Sequence, residues 1–304
     1  SVFWNYEINT DGDDNSKRWD YSYPIWGYDF SNVALGLNVY PSEPEDGILL
    51  GEEFSYTVEV KGGVMELTFS SEGHETKRFT KNLIRSEYTK RSDIPKQVND
   101  LFVPIGQDGI ENKNAYMEEG LFFKAGSYNQ TNGKDPKLNK IWCSGAETHD
   151  GNIEKQYADG NYAEVWFKSL DIEIDDNAIS NEGYFSANDG LSSKTVYPSE
   201  VIPFMDKFKI LLGNGISKED LIDYNHNDFF YSVMDGNRRW VAYKTPNSGI
   251  TSKNSNNTRT ELHQKNEWIP EKGGRLTGTC KVMQVSVSGD ARVAASYSVV
   301  VGQI

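Results

Sequence analysis

Apolar and polar residues alternate through Phe54-Ser-Tyr-Thr-Val-Glu-Val-Lys-Gly-Gly-Val-Met-Glu-Leu-Thr-Phe69, a period of two that suits a strand and that no helix satisfies. Gly62 and Gly63 at its centre tolerate the positive φ angles of a tight turn, so the stretch is expected to fold as a hairpin. The same β-branched and aromatic enrichment recurs from Tyr162 to Ile174, Leu276 to Val287 and Val293 to Ile304, and more briefly from Leu121 to Tyr128. Helical signals are short. Ser217 to Ile222 has a serine cap with acids in the first turn, and Ser92 to Leu101 suits another short turn. Polar, Gly- and Asn-rich stretches are expected loops: Asp11 to Asn15, Pro41 to Gly47, Gln130 to Lys140, Gly145 to Gly160 and Ser248 to Thr258. The acidic, small-residue segment from Asp175 to Lys194 suits a linker. The expected fold is all-β, an antiparallel β-sandwich or β-jelly roll with a concave groove, spanning 1–304 as a single domain.

Charge narrows the class of partner. With 31 Lys+Arg against 45 Asp+Glu, the net charge of −14 lacks the broad basic footprint of a nucleic-acid binder. A polyanionic ligand would have to meet a local cluster of Lys and Arg. No stretch approaches the roughly 18 apolar residues of a membrane span. The two cysteines, Cys143 and Cys280, are in no metal-ligand spacing and permit either one disulfide or two buried thiols.

Two segments put reactive groups at strand spacing. In Arg259-Thr-Glu-Leu-His263, residues i, i+2 and i+4 place Arg259, Glu261 and His263 on one face. In Phe123-Lys-Ala-Gly-Ser-Tyr-Asn-Gln130, Lys124, Gly126 and Tyr128 share a face, and Asn129 and Gln130 end the strand. Gly126 between lysine and tyrosine leaves room for a ligand on the sheet.

Together these segments resemble two signature strands of the alginate lyases of polysaccharide lyase family 7. A third family signature, Gln-Ile-His or Gln-Val-His, is matched in part by Val-Gly-Gln303-Ile304. Asp228-Phe-Phe-Tyr231, Tyr243-Lys-Thr-Pro246 with Gly249, and Tyr162-Ala-Glu-Val-Trp-Phe-Lys168 are similar to further family strands. The resemblance implies a jelly roll that cleaves mannuronate and guluronate linkages of alginate by β-elimination, secreted or periplasmic, monomeric and needing no metal. Elimination needs a neutralised uronate carboxylate, a base for the C5 proton and an acid for the leaving oxygen. The resemblance assigns neutralisation to Arg259 and Gln303 and proton transfer to Tyr128, with Lys124, Asn129, Gln130, Glu261 and His263 binding substrate. A tyrosine with a reference pKa of about 10 needs nearby cations to serve as a base, and Lys124 and Arg259 are candidates.

The order of the signatures departs from the family. Arg-Thr-Glu-Leu usually comes first, then Gln-Ile-His, then a segment like Ser1-Val-Phe-Trp-Asn-Tyr-Glu7, then the tyrosine strand; here the order is circularly permuted and the signature histidine does not follow Gln303-Ile304. We expect the working molecule to carry it in a connecting segment. His263 stands where the family usually has a second arginine, either binding a carboxylate when protonated or serving as a neutral partner of Glu261. His74, His149 and His226 read as solvated residues. Asp11-Gly-Asp-Asp-Asn15 offers oxygens for a structural calcium but lacks a full ligand loop. Trp4, Trp19, Trp26 and Tyr28 are available to stack on sugar rings. The insertion from Lys81 to Gly120 would suit a groove closed at one end, hence exolytic cleavage. A carbohydrate-binding sandwich without chemistry, or a lyase of another polyuronate such as glucuronan, would share the same face.

Overall fold

The computed structural model describes residues 5–10, 18–22, 48–61, 64–82, 122–129, 134–135, 140–141, 152–174, 177–178, 196–247, 258–266, 268, 273–287 and 298–303. Two antiparallel sheets pack face to face in a jelly-roll type of sandwich. The first runs, in spatial order, β13 (Ser217–Lys218), β12 (Phe208–Leu211), β16 (Arg259–Gln264), β7 (Lys124–Asn129), β18 (Ser298–Gln303), β1 (Asn5–Thr10), β2 (Arg18–Ser22) and β3 (Ile48–Leu49). The second runs β14 (Phe230–Asp235), β15 (Arg238–Pro246), β10 (Tyr162–Ile174), β17 (Gly274–Gln284), β4 (Glu53–Lys61), β5 (Val64–Ser71) and β6 (Lys77–Asn82), with β11 (Asn177–Ala178) folded back on β10. A separate ribbon pairs β8 (Lys134–Asp135) with β9 (Lys140–Ile141).

Alternation decides what enters the core. Along β4, Phe54, Tyr56, Val58 and Val60 are buried while Ser55, Thr57 and Glu59 are not. They meet Val165 and Phe167 of β10, Leu276 and Cys280 of β17, and the inward residues of the first sheet, Ala125, Leu262, Ile210, Val299 and Val301. Lys61 lies opposite Val64, so Gly62-Gly63 joins β4 to β5 as the hairpin expected.

Polar groups also cross the core, behind β7 and β16. The Thr245 hydroxyl on β15 donates to the Ser127 carbonyl at 2.8 Å and accepts from the Thr260 N–H at 3.0 Å. Thr260 in turn donates to the Lys244 carbonyl at 2.8 Å and accepts from the Gly213 N–H at 3.1 Å. Asn129 donates to Asn247 Oδ1 at 2.9 Å and to the Thr245 carbonyl at 3.3 Å, and Asn247 donates to Ser286 at 2.6 Å. Each bond is worth about 1 kcal/mol, but losing one partner strands a buried group at a cost of about 1–3 kcal/mol.

Several local expectations are corrected. Ser217 begins no helix: Ser217–Lys218 pairs with Ile210 and Leu211, because the turn at Gly213 to Gly215, closed by Leu212 N–H to the Ile216 carbonyl, folds the chain back on β12. Within the expected loop from Gly145 to Gly160 lies a helix, α1 (Ile153–Ala158), whose first turn is capped by Asn152 Oδ1 accepting from Lys155 N–H at 2.9 Å. A second, α2 (Pro198–Val201), has proline at its start. The segment expected to be a linker begins by pairing with β10, Ala178 opposite Glu173. Cys280 is a free, fully buried thiol, its pKa pushed well up by burial and then by Glu53. His74 is held by Glu52 Oε1 at 2.7 Å rather than being merely solvated. The Ser92 to Leu101 turn, His149, the Asp11 to Asn15 calcium loop, and the side chains of Trp4, Trp19, Trp26 and Tyr28 lie outside the described residues.

Thr245→Val keeps the shape of the side chain and removes both of its cross-sheet hydrogen bonds. We expect a loss of about 2 kcal/mol or more, seen in urea denaturation as a lower midpoint at unchanged slope.

Candidate active site

The register brings the two signature strands side by side. Arg259 lies opposite Tyr128, Glu261 opposite Gly126 and His263 opposite Lys124. Since Thr260, Leu262, Ala125 and Ser127 fill the core, the alternate residues Arg259, Glu261, His263, Lys124 and Tyr128 share the outer face of this sheet. These five residues are therefore brought together as the spacing implied.

Gln303 comes opposite Lys124 through an irregularity. Val300 lies opposite Tyr128 and Gly302 opposite Ala125, so β18 takes two steps while β7 takes three. Regular pairing would set Gln303 opposite Ala125, in the core row; the shift sets it opposite Lys124. The Val301 carbonyl at the irregularity accepts from the Tyr56 hydroxyl of the opposite sheet at 3.4 Å. On the far side of β18, Asn5 pairs with Gln303 and Glu7 with Val300, so both ends of the described chain meet at the site.

Within the site, the Arg259 guanidinium carbon lies 4.4 Å from the Tyr128 ring centroid, a cation–π contact. Its Nη1 donates to Glu261 Oε2 at 3.2 Å, and among the described residues its buried Nε has no hydrogen-bond partner. Glu261 is only 4% exposed. Its carboxylate holds the guanidinium that lies over the tyrosine ring. Lys124, 8% exposed, has its pKa lowered first by burial, with Glu261 opposing and Arg259 adding to the effect. Tyr128 is 9% exposed.

His263 resolves between its two sequence readings in neither direction. Its pKa is lowered to about 4, by burial first and then by Lys124, Lys209 and Arg259, so it is neutral near pH 7. Its ring packs 4.1 Å from that of Phe122, and no hydrogen bond links it to Glu261. A neutral imidazole here offers a hydrogen bond rather than a charge.

One other expected site residue falls elsewhere. Asn129 is one residue beyond Tyr128 and so faces the core, fully buried in the network around Thr245 and Asn247. Its side chain is thus tied into the core network and is not part of the outer face. Gln130 lies outside the described residues, as does the side chain of Gln303. Gly126 is also more constrained than an open space on the sheet requires. Its φ is +148°, and a Cβ there would lie 2.5 Å from the Thr260 carbonyl oxygen and 2.9 Å from Glu261 Cα. Sequence reasoning missed Lys209 of β12, which lies opposite His263 on the same face, and Phe122 beneath that histidine. The alternation in Phe208-Lys-Ile-Leu211 was a signal for the first. Among the described residues, no group of His, Cys, Asp and Glu is placed to hold a metal ion.

This face and its strands set the chain among known proteins. The family model described as alginate lyase matches residues 1–174 and 202–304, and the chain belongs to the alginate lyase family. An alginate lyase of Klebsiella pneumoniae is 35% identical over 92 residues, which are 30% of this chain and 21% of that protein. The match thus spans about a fifth of that relative's length. The crystal structure of the exolytic PL7 alginate lyase AlyA5 from Zobellia galactanivorans is 56% identical over 51% of this chain and 50% of its own, with a TM-score of 0.28.

Two measurements test this geometry. Gly126→Ala should cost about 1–3 kcal/mol through the strained backbone alone, lowering the thermal midpoint. The imidazole of His263 should titrate near pH 4 by proton NMR, assigned through its absence in His263→Asn. Its folded pKa lies below the unfolded 6.5, so the unfolded chain takes up the proton first. The stability contributed by this residue is therefore lost as pH falls from about 6.5 to about 4.

Proposed function

We propose that this chain is an alginate lyase that cleaves 1,4-linked mannuronate or guluronate polymer by β-elimination, leaving an unsaturated uronate end. The observation that carries the reading is Arg259 stacked over Tyr128 and braced by Glu261, on the outer face of one sheet. A guanidinium held in place presents a ready-made partner for the carboxylate next to C5. Charge developing on that carboxylate when C5 loses its proton is met by Arg259, directly opposite Tyr128.

Tyr128 is the proposed proton carrier. As phenolate it takes the C5 proton; the electron pair forms the C4–C5 double bond and expels the glycosidic oxygen at C4. The resulting phenol returns the proton to that oxygen, so the residue ends as it began. This suits mannuronate, where proton and leaving group lie on one side. For guluronate, with the two on opposite faces, a separate base is required, and the family's signature histidine is the expected one. Secretion to the outside or the periplasm, action as a monomer, and catalysis without a metal belong to the same proposal.

We also propose that β18 and β1 are the two arms of the family's hairpin, presented here as a permuted order. The support is their antiparallel register, Asn5 opposite Gln303. The length of the stretch leading into β7 at Phe122 supports cleavage near a chain end.

Ultraviolet absorbance of the unsaturated product, followed on polymannuronate and separately on polyguluronate, tests the activity. A rise is expected on at least one polymer, and sizing the same digests separates chain-end from internal cuts. Tyr128→Phe should lower turnover by about 10³-fold or more, the upper end of a positioned acid–base group, while polymer binding changes little. Binding with no rise on either polymer would mark a carbohydrate-binding sandwich instead.

A further inference from the structure

Arg259 opposite Tyr128 is the terminal pair of the ladder between β7 and β16. β16 begins at Arg259, and β7 ends one residue past the tyrosine, at Asn129. A strand end has ladder partners on one side alone, and terminal pairs are the first to open in a sheet. The guanidinium and the ring that meet at 4.4 Å therefore stand where the two strands by themselves hold least firmly.

Two clasps close this end from behind. On the β16 side, the Thr258 hydroxyl donates to the Pro246 carbonyl, and the Thr258 carbonyl accepts from the Asn129 N–H at 3.0 Å. On the β7 side, the Asn129 amide donates to Asn247 Oδ1 at 2.9 Å and Asn247 Nδ2 donates to Ser286 Oγ at 2.6 Å. Ser286 Oγ donates onward to Asn161 Oδ1 at 3.5 Å. Asn129, Asn247 and Ser286 are fully buried and Asn161 nearly so, and bonds that run in one direction through such an interior polarise one another. The main chain closes the circuit: the Asn247 N–H donates to the Asn161 carbonyl at 3.1 Å, and the Asn161 N–H to the Gln156 carbonyl of α1 at 2.8 Å. Asn247 is the junction of this relay. Its position needs an acceptor and a donor on one short planar group, which an amide supplies and a leucine of similar size does not.

We propose that Asn247 is a positioning residue for the reaction: through Asn129, and through the Pro246–Thr258 bond beside it, it fixes the terminal pair of β7 and β16 and so the placement of the Arg259 guanidinium over the Tyr128 ring. This rests on the lyase reading of the Tyr128 face. Asn247 itself is buried between the sheets and acts through its neighbours. Proton transfer is sensitive to small displacements, a misplacement of about 1 Å costing about 10²-fold, whereas the binding of a long polymer is spread over many contacts. Loss of the clasp therefore lowers kcat and leaves KM nearly unchanged.

The test compares wild type with Asn247→Leu, Ser286→Ala, the double variant Asn129→Leu/Asn247→Leu, and Leu276→Ala, a change in the fully buried core of β17. Kinetics are measured on polymannuronate and polyguluronate, below the thermal midpoint of every variant. Asn247→Leu should lower kcat by about 10- to 10²-fold with KM within about threefold, and Ser286→Ala should give a smaller loss in the same direction. The double variant should regain much of the stability, because both partners are then apolar, yet keep the low kcat. Leu276→Ala should lose stability through a cavity and keep kcat within about twofold. An unchanged kcat in Asn247→Leu, a loss confined to KM, a kcat that returns with stability in the double variant, or an equal loss in Leu276→Ala overturns the proposal. Should Asn247→Leu not fold, Ser286→Ala and the double variant decide, and an unchanged kcat in both overturns it. If wild type releases no unsaturated product, the lyase reading fails, and the placement is then read directly from the proton–nitrogen NMR signal of the Arg259 Nε–H, assigned by its absence in Arg259→Lys. A signal that moves in Asn247→Leu and stays in Leu276→Ala supports the clasp; one that stays in both overturns it.

Discussion

Everything on the functional face depends on the Thr245 hydroxyl. It joins a strand of one sheet to two strands of the other, donating to Ser127 and accepting from Thr260. Hydrophobic packing would hold the two sheets together at many relative offsets, because apolar contact is not directional. Buried hydrogen bonds are directional, and a displaced sheet would leave several polar groups unpaired at once. Ser127 and Thr260 lie directly opposite each other, between the residue pairs Arg259 with Tyr128 and Glu261 with Gly126. The same bonds that fix the sheets therefore fix Arg259, Glu261 and Tyr128 on the other side of the strands.

The second constraint is the break in β18. Alternation is rigid, and a strand that sets Val299 in the row of Asn129 and Val300 in the row of Tyr128 would set Gln303 in the core row of Ala125. One missing step between Val300 and Gly302 reverses the parity and returns Gln303 to the row of Lys124. The break is itself stabilised. Tyr56 donates to the freed Val301 carbonyl, and the absence of a side chain at Gly302 allows that ring to approach, since a Cβ there would lie 3.0 Å from the Tyr56 hydroxyl. A core tyrosine on β4 thus helps to hold the register that sets Gln303 opposite Lys124.

What could be read from the sequence followed from this physics. The hairpin at Gly62-Gly63, the strand from Tyr162 to Ile174 and the shared face of Arg259, Glu261 and His263 are consequences of a period of two, and they appear as expected. Asn129 was misread because proximity to Tyr128 in sequence means the opposite face in a strand. Lys209 was missed because its partner, His263, is more than fifty residues away, and only pairing reveals it. The neutrality of His263 was likewise hidden: it depends on burial and on Lys124 and Lys209 across two strand boundaries. Ser217 looked like a helix cap, but two hydrogen-bonded pairs to β12 outweigh a preference that is weak over six residues.

Charge is sorted between the two faces of the sandwich in a way composition conceals. On the second sheet's outer face the cations are neutralised locally: Lys168 and Arg238 by Glu53, Lys281 by Asp235 beneath Trp166 and Trp240, and Arg275 by Glu173. On β12, β16 and β7 of the first sheet, Lys209, Arg259 and Lys124 face a single carboxylate, Glu261. Holding three cations together on a partly buried surface is unfavourable in the free protein, because each raises the cost of the others' charge. That cost is visible in Lys124, whose pKa is lowered by burial and by Arg259, and in His263, which stays neutral. A polyanion would reverse the sign of the interaction, turning repulsion among these cations into attraction toward its own charges. An acidic protein can thus gather positive charge on one face, where Lys209 and Arg259 stand against the field of the rest of the chain.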